Sequence, residues 1–122
     1  RIRDMGPETL IIKKGEHGAL LFTDHSVFSA PAYPLDDIQD PTGAGDAFAG
    51  GLAGHLYQSG GLDPEALRRG VIYGSVMASF VVQRYGPDKL LDLTRTDITE
   101  RARSFRELAA IPTLVPLDKQ LA

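Results

Sequence analysis

The stretch "DPTGAGDAFAGG" at residues 40–51 is half loop and half helix, with four glycines and two aspartates in twelve residues. From Asp46 onward, Ala47, Phe48, Leu52, Ala53, Leu56 and Tyr57 recur at helical spacing, and "QSGGLDP" stops the run with paired glycines. The glycine cluster therefore leads directly into a helix start. Such a start carries about half a positive charge and several unpaired N–H groups, so it attracts anions, phosphate above all. Gly43, Ala44 and Gly45 have almost no side-chain bulk, and their consecutive amides can converge on one anion. Asp46 then stands beside that anion. Two negative groups brought together make poor scaffolding. They suit phosphoryl transfer, in which an aspartate orients the nucleophilic hydroxyl and accepts its proton. The plainer reading is an ordinary glycine-rich helix cap, with Asp46 near the dipole for stability alone.

Glycine spacing excludes two rival phosphate loops. A dinucleotide fingerprint G-x-G-x-x-G needs glycine at position 48 after Gly43 and Gly45, and Phe48 is there. A P-loop needs Lys followed by Ser or Thr after its second glycine, but Gly45 and Gly50 are followed by Gly51 and Leu52.

Working outward, "LIIK" (10–13), "ALLFT" (19–23) and "VFSA" (27–30) are short β-favouring runs split by the turns "KGEHG" and "DHS". They predict a meander of strands. The proline-bounded "APAYPLDDIQD" predicts extended surface chain delivering Asp40 to the glycine loop; Asp36 and Asp37 read as a solvated pair, with a place near a metal–phosphate site as the alternative. Asp63, Pro64 and Glu65 predict a capped start for a long helix running to about Tyr85, where Gly86 and Pro87 end it. Ile98, Ala102, Phe105 and Leu108 or Ala109 mark a last amphipathic helix capped near Thr96 and stopped by Pro112, with Phe105 and Leu108 as buried anchors. The tail "TLVPLDKQLA" has room for one more short strand. Residues 1–122 read as one unit without repeats.

Bulk composition bounds the function. The 122 residues are 43% hydrophobic, and 13 basic residues are scattered among 16 acidic ones for a net charge of −3, without the basic stripe of a nucleic-acid surface. The longest uncharged run, "GVIYGSVMASFVVQ" (70–83), is too short and too rich in small residues for a membrane span. Absence of cysteine excludes disulfides and thiolate metal sites and agrees with a reducing cytoplasm, the expected location. His17, His25 and His55 match no metal spacing and read as ordinary surface or edge histidines. The chain opens without Met and within a few residues of a strand, as an excerpt of a longer polypeptide would.

The ordered stretch from Asp40 to Gly51 resembles the C-terminal signature of the ribokinase-like (PfkB) carbohydrate kinases. That signature is D-T-x-G-A-G-D followed by a small-residue helix, and the chain departs from it with Pro41 where threonine is usual. The resemblance implies an α/β fold, the C-terminal part of a three-layer α/β/α sandwich. It implies an ATP-dependent kinase acting with Mg2+ on a sugar or nucleoside hydroxyl, with Asp46 as catalytic base and the amides of Gly43, Ala44 and Gly45 as anion hole.

Upstream, "KKGEHGALLF" is similar to the family's K-x-G-x-x-G segment, implying that Lys14, Gly15 and Gly18 lie beside the nucleotide; a hairpin turn explains the same glycines. Downstream, "YGSVMASFVVQRYG" is similar to the helix that flanks adenine, with Gly74, Ser75 and Ala78 admitting the base; close helix packing explains them equally. Asp40 and Thr42 match positions that give oxygens to a monovalent cation such as potassium in some members. The resemblance covers residues 10–86 well. In the family the sugar-binding glycines, a lid and the N-x-x-E motif for magnesium lie upstream, so this chain is expected to hold the nucleotide and phosphoryl-transfer half and to be feeble alone. A non-catalytic nucleotide-binding module derived from the same fold is the alternative, and homo-oligomer formation through the full-length protein stays open.

Overall fold

The computed structural model describes residues 6, 8–35, 41–83 and 91–117. Strands β1 (Leu10–Lys13), β2 (Ala19–Phe22) and β3 (Val27–Ala30) form an antiparallel meander in that order, as the β-favouring runs and the turns between them predict. Lys13 lies opposite Ala19, which lies opposite Ala30; Ile11 lies opposite Leu21, which lies opposite Phe28. Side chains alternate along a strand, so these six share one face. Ala19, Leu21 and Ala30 are buried on it, which leaves Lys13 at the end of the core-facing row.

The β1–β2 turn is closed by a single 3-10 turn, Gly15–His17, with the Lys14 amide donating to the Gly18 carbonyl at 2.7 Å. Gly18 has φ +90°, and a Cβ there would collide with the Ala30 carbonyl oxygen. Only glycine satisfies both conditions. The contact holds the turn against the chain leaving β3, and so brings residues 31–35 beside it.

Helix α1 (Ala44–Ser59) begins two residues before the predicted Asp46, with Gly43 as N-cap at φ +86° and Gly60 as C-cap at φ +74°. Helix α2 (Pro64–Val82) starts where Asp63-Pro64 predicts, but the Asp63 side chain makes no capping hydrogen bond; Pro64 and the extended Asp63 backbone set the start. The helix stops at Val82, three residues short of Tyr85, and Gly86 and Pro87 lie outside the described residues. Helix α3 (Arg95–Ala109) is capped by Thr94 rather than Thr96. The Thr94 hydroxyl accepts from the Asp97 amide at 3.1 Å, and the Asp97 carboxylate accepts from the Thr94 amide at 3.0 Å, a reciprocal pair. Of the two expected anchors, Phe105 is fully buried while Leu108 is 49% exposed. Residues 110–116 form no strand, so the part of the tail that is described does not hold the expected one, and residues 118–122 lie outside the described residues.

Two clusters make the core. Ala19, Leu21 and Ala30 from the sheet meet Phe48 of α1 and Leu67 and Val71 of α2. Val76 and Phe80 of α2 meet Phe105 of α3, with Tyr33 and Leu93 packed alongside. Helices α1 and α2 touch through glycine: a Cβ on Gly51 would stand 2.7 Å from the Tyr73 carbonyl oxygen, and one on Gly74 would stand 2.8 Å from that of Phe48. Among the described residues, no helix is long and apolar enough to cross a membrane.

Away from this contact, His55 stacks on Tyr73 with ring centroids 4.9 Å apart and accepts a hydrogen bond from Arg69 Nε at 3.4 Å. Burial, and then the Arg69 charge, lower its pKa below the ordinary 6.5. Above pH 6.5 the imidazole is neutral folded or unfolded, and the pairing contributes in full. As pH falls through that value the unfolded chain takes up the proton first, so stability declines until the folded value is passed. Denaturation midpoints of the full-length protein should therefore fall between pH 7.5 and 5, and His55→Gln should flatten that slope.

Candidate active site

A cleft of about 1040 Å³ lies between the β1–β2 turn, the chain leaving β3, the start of α1 and one face of α2. Lys13, Lys14, Gly15, His17 and Gly18 line it from the turn, and Pro31, Tyr33 and Leu35 from the segment that follows β3. Ala44, Gly45 and Phe48 contribute the first turn of α1, and Ser75, Ala78, Ser79 and Val82 one stripe of α2. The α2 residues are spaced three and four apart, as one helix face requires. One part of the wall carries two lysines beside a helix start, and the rest is mostly aliphatic and aromatic.

At the glycine loop the amide donors are not equivalent. The Ala44 amide donates to the Pro41 carbonyl at 3.1 Å, and the Ala47 amide donates to that of Gly43 at 3.0 Å. Helix geometry gives the amides of Gly43, Gly45 and Asp46 no acceptor within α1. The expected trio of Gly43, Ala44 and Gly45 thus contains one donor already engaged in a local turn. Gly45 faces the cleft. Asp46 follows it in the first turn, exposed, without a side-chain hydrogen bond or ion pair among the described residues, and outside the set that lines the cleft.

Sequence reasoning singled out Lys14, although the lysine of K-x-G-x-x-G, two residues before Gly15, falls at Lys13. The Lys13 ammonium nitrogen is 3.1 Å from where a Cβ on Gly45 would sit, and 5.4 Å from the centroid of the Phe48 ring. It therefore lies across the helix start, and glycine at position 45 leaves room for it. Strand alternation carries the signal: two residues beyond Ile11 on the core-facing row, Lys13 reaches the site that row leads to. Lys14 also lines the cleft, as does His17, which was read as an ordinary surface histidine.

The base-binding expectation divides. Ser75 and Ala78 line the cleft, with the Ser75 hydroxyl donating to its own helix at the Val71 carbonyl, 2.9 Å away. Gly74 packs instead against Phe48 of α1, so its missing side chain serves helix contact. Beyond them, Ser79 donates to the Val76 carbonyl at 2.6 Å and accepts from Arg101 at 3.1 Å. The Arg101 guanidinium lies 3.7 Å from the Phe80 ring centroid and 4.6 Å from that of Tyr33, and Tyr33 stands 5.0 Å from Phe105. This stack fixes the aromatic end of the cleft. Thr42 is exposed in the turn before α1, while its proposed partner Asp40, like Asp36 and Asp37, lies outside the described residues. Among the described residues, no three His, Cys, Asp or Glu side chains cluster as a metal centre would need.

The sequence profile of the pfkB family carbohydrate kinases matches residues 1–93. The chain belongs to that family. Among pfkB relatives, the aminoimidazole riboside kinase of Salmonella typhimurium is 39% identical over 85 residues, which is 70% of this chain and 26% of that protein. The cytidine kinase of Thermococcus kodakarensis is 49% identical over 53 residues, 41% of this chain and 19% of its own. The structure of aminoimidazole riboside kinase from Salmonella enterica, solved with aminoimidazole riboside and an ATP analogue, superposes with a TM-score of 0.66 at 32% identity. That match covers 89% of this chain and 34% of the other. The nucleoside kinase of Methanocaldococcus jannaschii gives a TM-score of 0.68 at 28% identity, over 85% and 33%. The three-stranded sheet and its helices are thus part of a ribokinase-like α/β/α sandwich, and the chain spans about a fifth to a third of the length of these relatives.

Proposed function

We propose that the full-length protein is an ATP-dependent kinase that transfers the γ-phosphate to a hydroxyl of a sugar or nucleoside, and that residues 1–122 form its nucleotide-binding and phosphoryl-transfer portion. The observation that carries this reading is the shared wall of one cleft, where Lys13 and Lys14 stand beside the glycine start of α1, with Asp46 next along the helix. Relatives named for nucleoside and sugar substrates support the acceptor class.

In the proposed step, the acceptor oxygen attacks the γ-phosphorus as its proton passes to the Asp46 carboxylate, and the bond from γ-phosphorus to the β–γ bridging oxygen breaks to release ADP. Charge growing on the transferring group's outer oxygens is met by the Gly43 and Gly45 amides and the partial positive charge of the helix start. The Ala44 amide joins them only by giving up its bond to Pro41. The aliphatic and aromatic wall formed by Ala78, Val82 and Tyr33 suits a flat base, with Ser75 available as an acceptor.

Magnesium would arrive with the nucleotide, held mainly by phosphate oxygens and water, where it offsets phosphate charge. Near the glycine loop, Asp46 is the carboxylate that the described residues offer, and it is assigned to the proton. A potassium-type site at Asp40 and Thr42 belongs to the same reading.

The test is an assay of the full-length protein with γ-labelled ATP against separate panels of sugars and nucleosides. Label should move to one class of acceptor with ADP as co-product. ATP binding without transfer to any acceptor favours the non-catalytic module instead.

A further inference from the structure

Ser75 and Ser79, one turn apart on α2, both line the cleft, and their neighbours decide where their hydroxyl hydrogens point. Ser75 donates to the Val71 carbonyl at 2.9 Å, and Ser79 to the Val76 carbonyl at 2.6 Å. For Ser79 that sense is enforced. Arg101 Nη1, 3.1 Å from the same oxygen, has only hydrogens to offer, so the hydroxyl must accept from it and send its own hydrogen to the helix. Arg101 is itself held in place: Gln83 Oε1 accepts from Nη1 at 2.6 Å, and the guanidinium lies 3.7 Å from the Phe80 ring centroid and 4.6 Å from that of Tyr33. Among the described residues, one lone pair of Ser79 and both of Ser75 are left without a partner, while neither hydroxyl keeps a hydrogen to give. Ser79 is 6% exposed, so water reaches it little and an unmatched polar group beside it is costly.

We propose that Arg101 is a positioning residue for base selectivity: by fixing the sense of the Ser79 hydroxyl it makes this wall of α2 accept hydrogen bonds without donating any, so that the wall takes a base through an exocyclic amino group. This rests on the kinase reading above and adds to it how the base end of the cleft chooses. Arg101 is not among the residues that line the cleft, so it acts through Ser79. It also lies beyond residues 1–93, on a helix that the family profile does not reach.

The experiment measures equilibrium binding of ATP and of purine riboside triphosphate, which lacks only the exocyclic amino group, to full-length wild type, Ser79→Ala, Arg101→Met and Arg101→Lys. Wild type should prefer ATP by about 3- to 10-fold, the worth of one neutral hydrogen bond. Ser79→Ala should bring that preference below about twofold by removing the acceptor, and Arg101→Met should do the same by leaving the hydroxyl hydrogen at liberty to turn into the cleft. Arg101→Lys, which also only donates, should keep most of it. A merely structural role for Arg101 weakens both ligands alike and leaves their ratio at the wild-type value. Should Arg101→Met fail to fold, Arg101→Gln, whose amide accepts as well as donates, carries the same comparison. Wild type that binds the two triphosphates equally overturns the inference, as does a wild-type ratio in folded Ser79→Ala or in the folded Met or Gln variant of Arg101. Wild type that binds neither triphosphate overturns the kinase reading together with it.

Discussion

In the full-length protein, Asp46→Asn should lower turnover by about 10²- to 10⁴-fold, the usual contribution of a positioned base, while ATP should bind at least as tightly as before. The second half follows from charge. Asn keeps the shape of the side chain and removes a negative group from beside the phosphates, so any change in ground-state binding favours the variant. Loss confined to kcat is the mark of an interaction made in the transition state. Steady-state kinetics paired with direct ATP binding measures both halves. Turnover within threefold of wild type would retire Asp46 as the base and return the loop to the reading of a plain helix cap. The exposure of Asp46 and its lack of a side-chain partner among the described residues leave it available to an incoming hydroxyl.

Phe105→Ala should cost about 3–5 kcal/mol of folding stability, the range for truncating a fully buried phenylalanine. Phe105 is 0% exposed between Val76 and Phe80, and it stands 5.0 Å from Tyr33. It also lines the cleft, so truncation both empties the α2–α3 cluster and loosens the aromatic end where Tyr33 and Arg101 stack. Denaturant titration should give a lower midpoint, and Phe105→Leu should restore much of it. An alanine variant within 1 kcal/mol of wild type would show that α3 contributes little to holding the cleft. Residue 105 lies beyond the stretch that the family profile matches, so this wall depends on a part of the chain that the shared motifs do not reach.

The reach of sequence reasoning can be followed residue by residue. The strands and α1 were legible because β-favouring runs bounded by turns, helical spacing and paired glycines all agreed. Gly18 was picked out, but its reason was not, since the collision with the Ala30 carbonyl belongs to the third strand and no local pattern contains it. Lys13 was passed over although it was legible: with Gly15 and Gly18 as its glycines, K-x-G-x-x-G puts its lysine at 13, and the ladder agrees by placing Lys13 on the core-facing row. Gly74 was offered for the base and serves Phe48 instead, because small residues on a helix admit a ligand or another helix equally. Leu108 followed the apolar spacing of α3 and is half-exposed, since that helix packs mainly through Phe105. The turn bond from Ala44 to Pro41 has no signature in composition, although Pro41 was noted as the departure from the usual motif.

The glycine seam between α1 and α2 has a mechanical consequence. With Gly51 against the Tyr73 carbonyl and Gly74 against that of Phe48, the two backbones come into direct contact, with Met77 and the Phe48 ring packed at the same points. The helix that carries Asp46 and the helix that carries Ser75 and Ala78 therefore behave as one stiff girder. Such close backbone contact favours joint movement, so the offset between the first turn of α1 and the Ser75–Ala78 stripe should be set largely by packing when the chain folds.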